Sequence, residues 1–265
     1  MITVMSLNID GITDEKLDSL FLYLRMHSID VCHLQETQVP SFPDYAYNKG
    51  YQIFHSAPLR GKSGGCATLV LDKWSCKQLP TFPDEGDVCW TSIDTGNEVY
   101  VSANVYLRGS LNDPDYTETL TAVIDRLANL RSLRTHVMLM GDLNAEASRA
   151  TDQVKHAITE NLVCNCSMYR VDLQAPLDDL PTHIPWQAGE QQRHLDALAV
   201  DERVRSRVAS SGIDLDGAEP LIPLSDHRPL WVSFMTRTRK VPGAAPPIVF
   251  KTSEATAEHW DNSLV

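Results

Sequence analysis

The sequence predicts an α/β protein in which two mixed β-sheets pack together and helices cover their outer faces. Three observations indicate this class. Apolar strand-like runs recur along the whole 265-residue chain, amphipathic helical patterns separate some of these runs, and hairpin turns join others. A chain of this length can bury roughly 70–75% of its unfolded surface in a core. No internal repeat of roughly 20–50 residues is visible, which excludes solenoids and propellers.

The first elements form a strand–helix–strand unit. Residues 2–8 alternate in polarity and are followed by the turn signal Asp10-Gly11. Thr13 is a suitable helix cap, and the next residues carry an apolar helical stripe made of Leu17, Leu20, Phe21 and Leu24. Residues 29–35 predict a second strand, and the helical crossover predicts that the two strands pair in parallel.

The remaining pattern contains more strands and a second long helix. Asp113-Pro114 has the composition of a helix start, and an amphipathic pattern continues to Leu130. A loop with a short helix is expected at 145–162. Strands are expected at 51–56, 65–72, 88–94, 98–107, 136–140, 181–186, 194–200 and 226–235, with a hairpin connection at 95–97.

The charge balance limits the function classes. The chain has 23 basic and 35 acidic residues, a net charge of −12, which argues against a protein that coats nucleic acid by bulk charge. An enzyme that acts on phosphodiesters through a local site stays compatible with this charge. No apolar run approaches the ~18 residues of a membrane span, and the first residues lack the features of a secretory signal. We therefore expect an intracellular protein, nuclear or cytoplasmic, without membrane association and with free cysteines.

The composition changes near residue 236. Residues 236–240 are basic, and residues 242–247 are rich in proline, glycine and alanine, which is typical of a linker. We therefore expect one domain at 1–235 and a basic, proline-rich linker or tail at 236–265.

Polar groups follow several strand-like runs. A single acidic residue after a strand is more often a turn former than a ligand, but repeated polar strand ends are a pattern of α/β active sites. The segments are Asn8-Ile9-Asp10-Gly11, Gln35-Glu36-Thr37, Gly141-Asp142-Leu143-Asn144, His194-Leu195-Asp196 and Ser225-Asp226-His227-Arg228-Pro229.

These residue types favour metal-assisted phosphoryl transfer. Oxygen ligands such as Glu36, helped by Asp10 and Asp226, suit a hard cation. A histidine oriented by a carboxylate, His227 with Asp196, can stabilise the negative charge of a phosphoryl transition state. A carboxylate-pair glycosidase could use similar acidic residues, but it needs neither the histidine nor the asparagines. No G-x-S-x-G, P-loop or dinucleotide motif is present.

The ordered set of motifs resembles the endonuclease/exonuclease/phosphatase superfamily over roughly residues 2–235. The resemblance implies a DNase I-like fold, a four-layered α/β sandwich. It also implies that Glu36 is the principal metal ligand, with Asp10 and Asp226 assisting, and that the cofactor is Mg²⁺, with Mn²⁺ as the alternative.

The same resemblance implies roles for the remaining polar residues. Asp142 would activate the attacking water, and Asn8 and Asn144 would orient water and phosphate. His227 would contact the scissile phosphate, with Asp196 as its orienting partner. Tyr106 would lie near the phosphate, although a tyrosine is also a common core residue of strands.

Substrate contacts are expected from loops. Arg60 and Lys62 lie in a glycine-rich segment and could form a basic edge for a phosphate backbone, and Arg108 and Arg193 flank the proposed catalytic residues. Each could equally be an ordinary solvated charge. Arg193 also occupies the position where abasic-site repair enzymes commonly carry a tryptophan, which weakens an abasic-site assignment.

The closest resemblance is to endonuclease domains of non-LTR retrotransposons, through the segment Cys32–Thr37 and the short loop after Asn144. This resemblance implies a monomeric Mg²⁺-dependent endonuclease that nicks target DNA and is fused to a downstream reverse transcriptase. Two alternatives keep the same centre: hydrolysis of a small phosphoester (a phosphoinositide, nucleotide or sphingolipid head group) and abasic-site repair. A non-enzymatic domain with a decayed site is a third possibility, which the intact polar residues disfavour.

Overall fold

The computed structural model describes residues 1–58, 63–146, 152–174, 177–178, 180–187, 189–214 and 225–237, and these residues form two six-stranded β-sheets. The first sheet has the spatial order β11-β12-β1-β2-β4-β3 and consists of β1 (Ile2–Asn8), β2 (Val31–Gln35), β3 (Tyr51–Ser56), β4 (Cys66–Leu71), β11 (Val208–Ile213) and β12 (Leu230–Phe234). The second has the order β5-β6-β7-β8-β10-β9 and consists of β5 (Ser75–Gln78), β6 (Asp87–Asp94), β7 (Val99–Tyr106), β8 (Thr135–Asp142), β9 (Met168–Arg170) and β10 (Asp196–Asp201).

Helices cover the outer face of each sheet. In the described residues these are α1 (Asp14–Met26), α2 (Asp113–Leu130), α3 (Gln153–Asn165) and the single turn α4 (Glu202–Arg205). The apolar stripe of α1 packs on the first sheet, and α2 packs on the second sheet beside α3. The predicted α/β class and the four-layered sandwich are therefore confirmed.

Both sheets contain one parallel strand pair that a helix connects. β1 pairs in parallel with β2 across α1, and β7 pairs in parallel with β8 across α2. The other described strand pairs are antiparallel. The carboxyl ends of the two strands in a parallel pair lie at one edge of the sheet, so this topology brings the residues after β1, β2, β7 and β8 together.

The layer between the sheets is apolar at one end and polar at the other. On β1, Ile2 and Val4 belong to the apolar inter-sheet cluster, whereas Ser6 and Asn8 follow on the same face two and four residues later. The same change occurs on β8, where Met138 and Met140 precede Asp142. Strand alternation therefore places the polar side chains of successive strands at one end of the sandwich.

Most predicted elements agree with the structure, and several differ. The predicted strand at 181–186 is wrong, because in the described residues 180–187 only His183 forms isolated β-bridges. The side chain of Asn112, and not Asp113, caps α2 through the backbone N–H of Asp115, which lies 2.9 Å away. The loop and short helix expected at 145–162 contain α3, which begins at Gln153 and extends to Asn165, three residues beyond the expected end. The short strands β5, β9 and β11 were not predicted. They have few residues or are largely exposed, so apolar and polar residues alternate only weakly along them.

Three further expectations concerned the cysteines, membrane-spanning segments and the C-terminal tail. All six cysteines lie among the described residues and are free thiols, and Cys32, Cys66 and Cys89 are buried. None of the described helices is long and apolar enough to cross a membrane. Residues 238–265 lie outside the described residues, so the linker or tail expected at 236–265 stays a prediction.

A buried charged cluster closes the end of the sandwich where β7 and β8 begin. The carboxylate of Glu98 accepts hydrogen bonds from His136 Nε2 at 2.9 Å, the Tyr100 hydroxyl at 2.9 Å and Arg207 Nη1 at 2.6 Å. Burial by itself disfavours the charged form, but these hydrogen bonds outweigh it and lower the pKa of Glu98 to about 2.

The depressed pKa of Glu98 predicts a pH-dependent contribution to stability. The carboxylate stabilises the folded state at neutral pH, and this contribution is lost as the pH falls from about 4 towards 2, because the unfolded glutamate has a pKa of about 4.3. Glu98→Gln should lower the free energy of unfolding at pH 7 by about 1–3 kcal/mol and flatten its dependence on acid pH. Denaturant titrations at pH 7 and pH 3 test this, with the exposed Glu118→Gln as control; equal stabilities of Glu98→Gln and the parent at pH 7 would contradict it.

Candidate active site

Polar residues at the ends of central strands line one cleft. Asn8 ends β1, Glu36 follows β2, Tyr106 ends β7 and Asp142 ends β8. Asp196 begins β10 and pairs directly with Asp142 in the antiparallel β8–β10 ladder. The cleft has a volume of about 240 Å³ and is lined by Asn8, Asp10, Glu36, Tyr106, Gly109, Asp142, Asn144, His183, Arg193, Leu195, Asp226 and His227.

The side-chain amide of Asn8 connects the two sheets within this cleft. Its Nδ2 atom donates to Glu36 Oε1 at 2.9 Å and to Asp142 Oδ2 at 2.9 Å, and its Oδ1 atom accepts the backbone N–H of Asp10 at 3.1 Å. Asn8 is fully buried, so both of its amide protons serve these carboxylates. One amide therefore fixes the spacing of two carboxylates that belong to different sheets.

Four non-glycine residues around the cleft adopt the left-handed backbone conformation, which usually favours glycine. Asp10, Glu36, Gln38 and Asn144 have φ values of 47°, 48°, 56° and 48°. Such conformations cost of order 1–3 kcal/mol per residue and persist where the surrounding structure enforces them, commonly at functional sites. The turns aim the side chains of Asp10 and Glu36 back across the strand ends.

Gly141 allows β8 to approach β7 directly before Asp142. Its φ is 143°, and a Cβ atom at this position would lie 1.9 Å from the backbone oxygen of Val105. Any other residue would therefore push the two strands apart beside the cleft.

Glu36 and Asp10 form a group of oxygen donors that fits a hard divalent cation. The Gln38 amide nitrogen lies 3.3 Å from Glu36 Oε2 and 3.2 Å from Asp10 Oδ1, so one neutral amide bridges the two carboxylates. The nearby ammonium of Lys16 donates to the backbone oxygens of Ile9 and Asp10 rather than to the carboxylates. This donor set suits Mg²⁺ or Mn²⁺.

Asp226, the third expected metal-assisting residue, lines the same cleft but contacts a histidine. Its Oδ2 atom lies 3.1 Å from Nε2 of His183. Burial raises the pKa of Asp226, but the hydrogen bond to His183 and the charges of His183 and His227 outweigh it and lower this pKa.

His227 is held as an imidazolium. Its Nδ1 atom lies 2.8 Å from Asp196 Oδ2, and its backbone N–H donates to Ser225 Oγ at 3.0 Å. Burial disfavours the cation, but the charges of Asp196, Asp142 and Asp226 outweigh it and raise the pKa of His227 to about 9. The Nε2 atom remains directed towards Asp142, with 3.9 Å between Nε2 and Oδ2.

Asp142 is the buried carboxylate opposite His227. Burial raises the pKa of Asp142 to about 7, against the lowering effect of His227 and of hydrogen bonds from Asn8 and the backbone N–H of Asn144. A carboxylate with a pKa near neutrality is a suitable proton acceptor. The Asn144 amide donates to the backbone oxygen of Leu107 at 3.0 Å, which holds its loop against the end of β7.

Tyr106 lies in the cleft with its phenol protonated. Burial and the neighbouring charge of Glu36 raise the pKa of Tyr106 well above its usual value. The hydroxyl can therefore act only as a neutral hydrogen-bond donor or acceptor at physiological pH.

The expected substrate-binding residues are distributed unevenly. Arg193 lines the cleft, whereas Arg108 lines a neighbouring groove of about 540 Å³ and forms an ion pair with Asp87 at 3.1 Å. Arg108 also donates to the backbone oxygen of Ser63 at 2.9 Å. Arg60 and Lys62 lie outside the described residues.

The sequence reasoning missed His183, a buried histidine in the same cleft. His183 forms backbone bridges with both Arg193 and His227, and its ring centroid lies 5.0 Å from that of His227. Because it lies more than 40 positions before His227 and inside a run resembling a strand, no local pattern identified it. Its position in Thr182-His183, a polar pair inside an apolar run, was the only available signal.

A second missed feature is a polar bridge between the sheets beneath the cleft. Asn104 on β7 donates to the backbone oxygens of Leu34 at 3.0 Å and Ala67 at 2.7 Å, and it accepts from Gln35 Nε2 at 2.6 Å. All of these groups are buried. Asn104 therefore connects β7 of one sheet to β2 and β4 of the other, two residues before Tyr106 and beside Glu36.

Comparisons with known proteins agree with this fold. Residues 5–227 match the model of the family described as "Endonuclease/Exonuclease/phosphatase family". The chain is similar to the endonuclease domain of TRAS1, a telomere-specific non-LTR retrotransposon (TM-score 0.68, 15% identity, covering 90% of this chain and 100% of that chain).

Two prokaryotic structures are similar at the same level. They are an AP endonuclease from Archaeoglobus fulgidus (TM-score 0.69, 16% identity, covering 89% and 100%) and the 3′ phosphatase NExo from Neisseria bound to a product DNA hairpin (TM-score 0.70, 16% identity, covering 89% and 100%). No curated protein matches the sequence significantly. At these identities the structural likeness shows a shared fold.

The inter-sheet bridge predicts that Asn104 is required for stability. Asn104→Ala removes three buried hydrogen bonds and should lower the free energy of unfolding by about 1–3 kcal/mol. Asn129→Ala, at an exposed position of α2, is the matched control and should change stability by less than about 0.5 kcal/mol. Denaturant titration measures both; a loss at Asn104 no larger than at Asn129 would show that the bridge contributes nothing.

Proposed function

Because this chain belongs to the Endonuclease/Exonuclease/phosphatase family, whose members are hydrolases of phosphoester bonds, we propose that it is a metal-dependent phosphodiesterase that nicks DNA. One observation carries the proposal. Asp142 and His227 face each other at 3.9 Å in a single cleft, and each has its own fixed partners, Asn8 and Asp196 respectively. This pairing places a proton acceptor beside a cation, which is what attack of water on a phosphodiester requires.

Asp142 acts on the attacking water in this proposal. Its Oδ1 atom accepts the backbone N–H of Asn144, and its Oδ2 atom accepts an amide proton of Asn8, both at 2.9 Å. These contacts fix the carboxylate plane, and the raised pKa of Asp142 makes it a stronger base than an exposed aspartate. A water against Asp142 loses its proton to the carboxylate as its oxygen attacks phosphorus. The P–O ester bond opposite the attacking oxygen breaks, and the leaving oxygen departs with its half of the strand and takes a proton from solvent.

His227 and Tyr106 serve the phosphate. The imidazolium Nε2–H of His227 donates to a non-bridging phosphate oxygen and stabilises the negative charge that develops there, while Asp196 holds the opposite nitrogen. The protonated phenol of Tyr106 can donate a second hydrogen bond from the end of β7. Asp196 fixes the His227 donor before substrate arrives, which reduces reorganisation during the reaction, whereas the Tyr106 hydroxyl is hydrogen-bonded to Glu36 in the free chain.

Glu36 and Asp10, with Asp226 near them, would hold the metal ion. Mg²⁺, or Mn²⁺ in its place, supplies positive charge to the phosphate oxygens when bound. The Asn8 amide joins Glu36 to Asp142, so the residues that bind metal and the residue that activates water keep a constant spacing.

The dimensions of the cleft support a polymeric substrate. Pockets that enclose small ligands usually have volumes of roughly 300–1,000 Å³, whereas this cleft measures about 240 Å³, enough for one phosphate group. Arg193 on the cleft wall supplies a cation for a neighbouring phosphate. The TRAS1 domain, which shares this fold, is the endonuclease domain of a retrotransposon. From the sequence motifs we propose that this chain likewise nicks target DNA, as a monomer inside the cell and fused to a downstream reverse transcriptase.

The neighbouring groove supports a second candidate, hydrolysis of a small phosphoester. Its lining includes Asp84, Asp87, Asp115 and Glu118, with Arg108 already paired to Asp87. This acidic wall would repel a nucleic-acid backbone that crosses it, whereas a small phosphoester could occupy the catalytic cleft without contacting the wall. Abasic-site cleavage is a third outcome that the same assay distinguishes.

The proposed function is tested with purified chain on supercoiled plasmid, an abasic duplex and inositol phosphates, each with Mg²⁺ and with chelator. Nicking of plain plasmid that requires Mg²⁺ is expected. Asp142→Asn removes the proton acceptor and should lower the nicking rate by at least roughly 100-fold. Glu36→Gln should raise the Mg²⁺ concentration needed for half-maximal rate.

Asp125→Asn, which changes an exposed carboxylate of α2, is the matched control and should nick at the parental rate. Parental nicking by Asp142→Asn would overturn the mechanism. Turnover of inositol phosphates or of the abasic duplex far above plasmid nicking would replace the proposed substrate by one of the alternatives.

A further inference from the structure

A cluster of two histidines and an aspartate lies on the wall of the cleft. One ligand atom from each of His183, Asp226 and His227 lies within 4.8 Å of the other two. The cluster shares Asp226 with the expected Mg²⁺ ligands, but its other members are imidazoles. It is therefore chemically different from the oxygen donors Glu36 and Asp10.

Backbone hydrogen bonds hold the two histidines in adjacent positions. The backbone N–H of His183 donates to the oxygen of Arg193 at 2.8 Å, and Arg193 returns a hydrogen bond to the oxygen of His183 at 2.9 Å. The backbone N–H of Ile184 donates to the oxygen of Asp226 at 2.7 Å. Both histidines are only 7% exposed, so their rings have little freedom to turn away.

Each imidazole places one nitrogen within 4.8 Å of an Asp226 oxygen, and a bound zinc ion would displace the proton which that nitrogen carries in the metal-free chain. The Nδ1 atom of His227 is engaged with Asp196, the carboxylate support that is typical of metal-binding histidines, and Nε2 is left to face the cleft. In the metal-free chain Nε2 of His183 donates to the Asp226 carboxylate, whereas the buried Nδ1 atom has no hydrogen-bond partner among the described residues. With its proton on Nδ1, Nε2 of His183 becomes a ligand beside Asp226 Oδ2, from which it is separated by 3.1 Å.

This donor set selects a class of metal ion. Two imidazoles and one carboxylate suit Zn²⁺ and related transition metals, whereas Mg²⁺ prefers oxygen ligands alone. Three protein ligands with a position left for water are a common arrangement for zinc in open sites.

We propose that His183, Asp226 and His227 form a transition-metal site that binds Zn²⁺ and thereby inhibits the enzyme. Inhibition follows because Nε2 of His227 cannot ligate zinc and donate to phosphate at the same time. Only this inhibitory consequence rests on the proposed function; zinc binding depends on the cluster alone.

Zinc binding is measured by calorimetry on the full chain in excess Mg²⁺. Every variant carries Cys164→Ser and Cys166→Ser, which removes a pair of accessible thiols that could bind zinc themselves. One Zn²⁺ per chain is expected. His183→Gln should lower the affinity at least roughly tenfold, while His27→Gln, an exposed histidine, and Glu36→Gln should leave it unchanged. Unchanged affinity in His183→Gln, or no zinc binding by the parent, would overturn the site.

A measurement on the chain with its histidines intact covers the case in which His183→Gln does not fold. Paramagnetic Co²⁺ should broaden the imidazole NMR signals of His183 and His227 first, and broadening of other histidines instead would refute the assignment. In the nicking assay, His183→Gln should raise the zinc concentration for half-inhibition at least tenfold. Specific zinc binding without hydrolysis of any phosphoester would support the site and refute the proposed function, whereas equal inhibition of parent and His183→Gln would refute the inhibitory role of this site.

Discussion

Two acidic groups from different β-sheets, Glu36 and Asp142, are kept at a fixed distance by the amide of Asn8, and the rest of the centre depends on this contact. The Nδ2 atom donates to both carboxylates at 2.9 Å, while the carbonyl oxygen accepts the backbone N–H of Asp10. Without such a donor, the half-buried carboxylate of Glu36 and the buried carboxylate of Asp142 would repel each other, which favours protonation of one of them. Asn8 therefore ties the packing of the two sheets to the chemistry at their common edge.

The polar strand ends that line the cleft are held in place by the inter-sheet layer beneath them. Apolar side chains fill the rest of the inter-sheet layer. Asn104 lies between this apolar part and the polar cleft, and it forms hydrogen bonds to Leu34, Ala67 and Gln35 of the other sheet. Gly141 permits the close approach of β7 and β8 beside the cleft. The left-handed turns at Asp10 and Glu36 are strained, and the strain is tolerated because these surrounding contacts hold the strand ends in place.

Local patterns in the sequence were sufficient for the parts of the molecule that local forces determine. The strand at residues 2–8, the Thr13 cap and the parallel pairing of β1 with β2 across α1 follow from alternation, capping and chain connectivity, and the structure has them. The ordered motifs also identified most of the residues that line the cleft, from Asn8 to His227. His183 was not identified, because its place depends on β-bridges to Arg193 and His227 that no local pattern encodes. Arg108 illustrates the converse: its position beside Tyr106 suggested substrate contact, but its guanidinium pairs with Asp87, which lies 21 positions away in the sequence.

The central claim is that the chain breaks a phosphodiester by attack of water on phosphorus, in the cleft that holds Asp142. Cleavage of a defined DNA duplex under single-turnover conditions in water enriched in ¹⁸O, followed by mass spectrometry of the products, tests this claim most directly. The account predicts that each broken bond carries one ¹⁸O atom in the product phosphate. Products whose phosphate contains no ¹⁸O would contradict it, because they would indicate elimination or attack at carbon instead of hydrolysis at phosphorus.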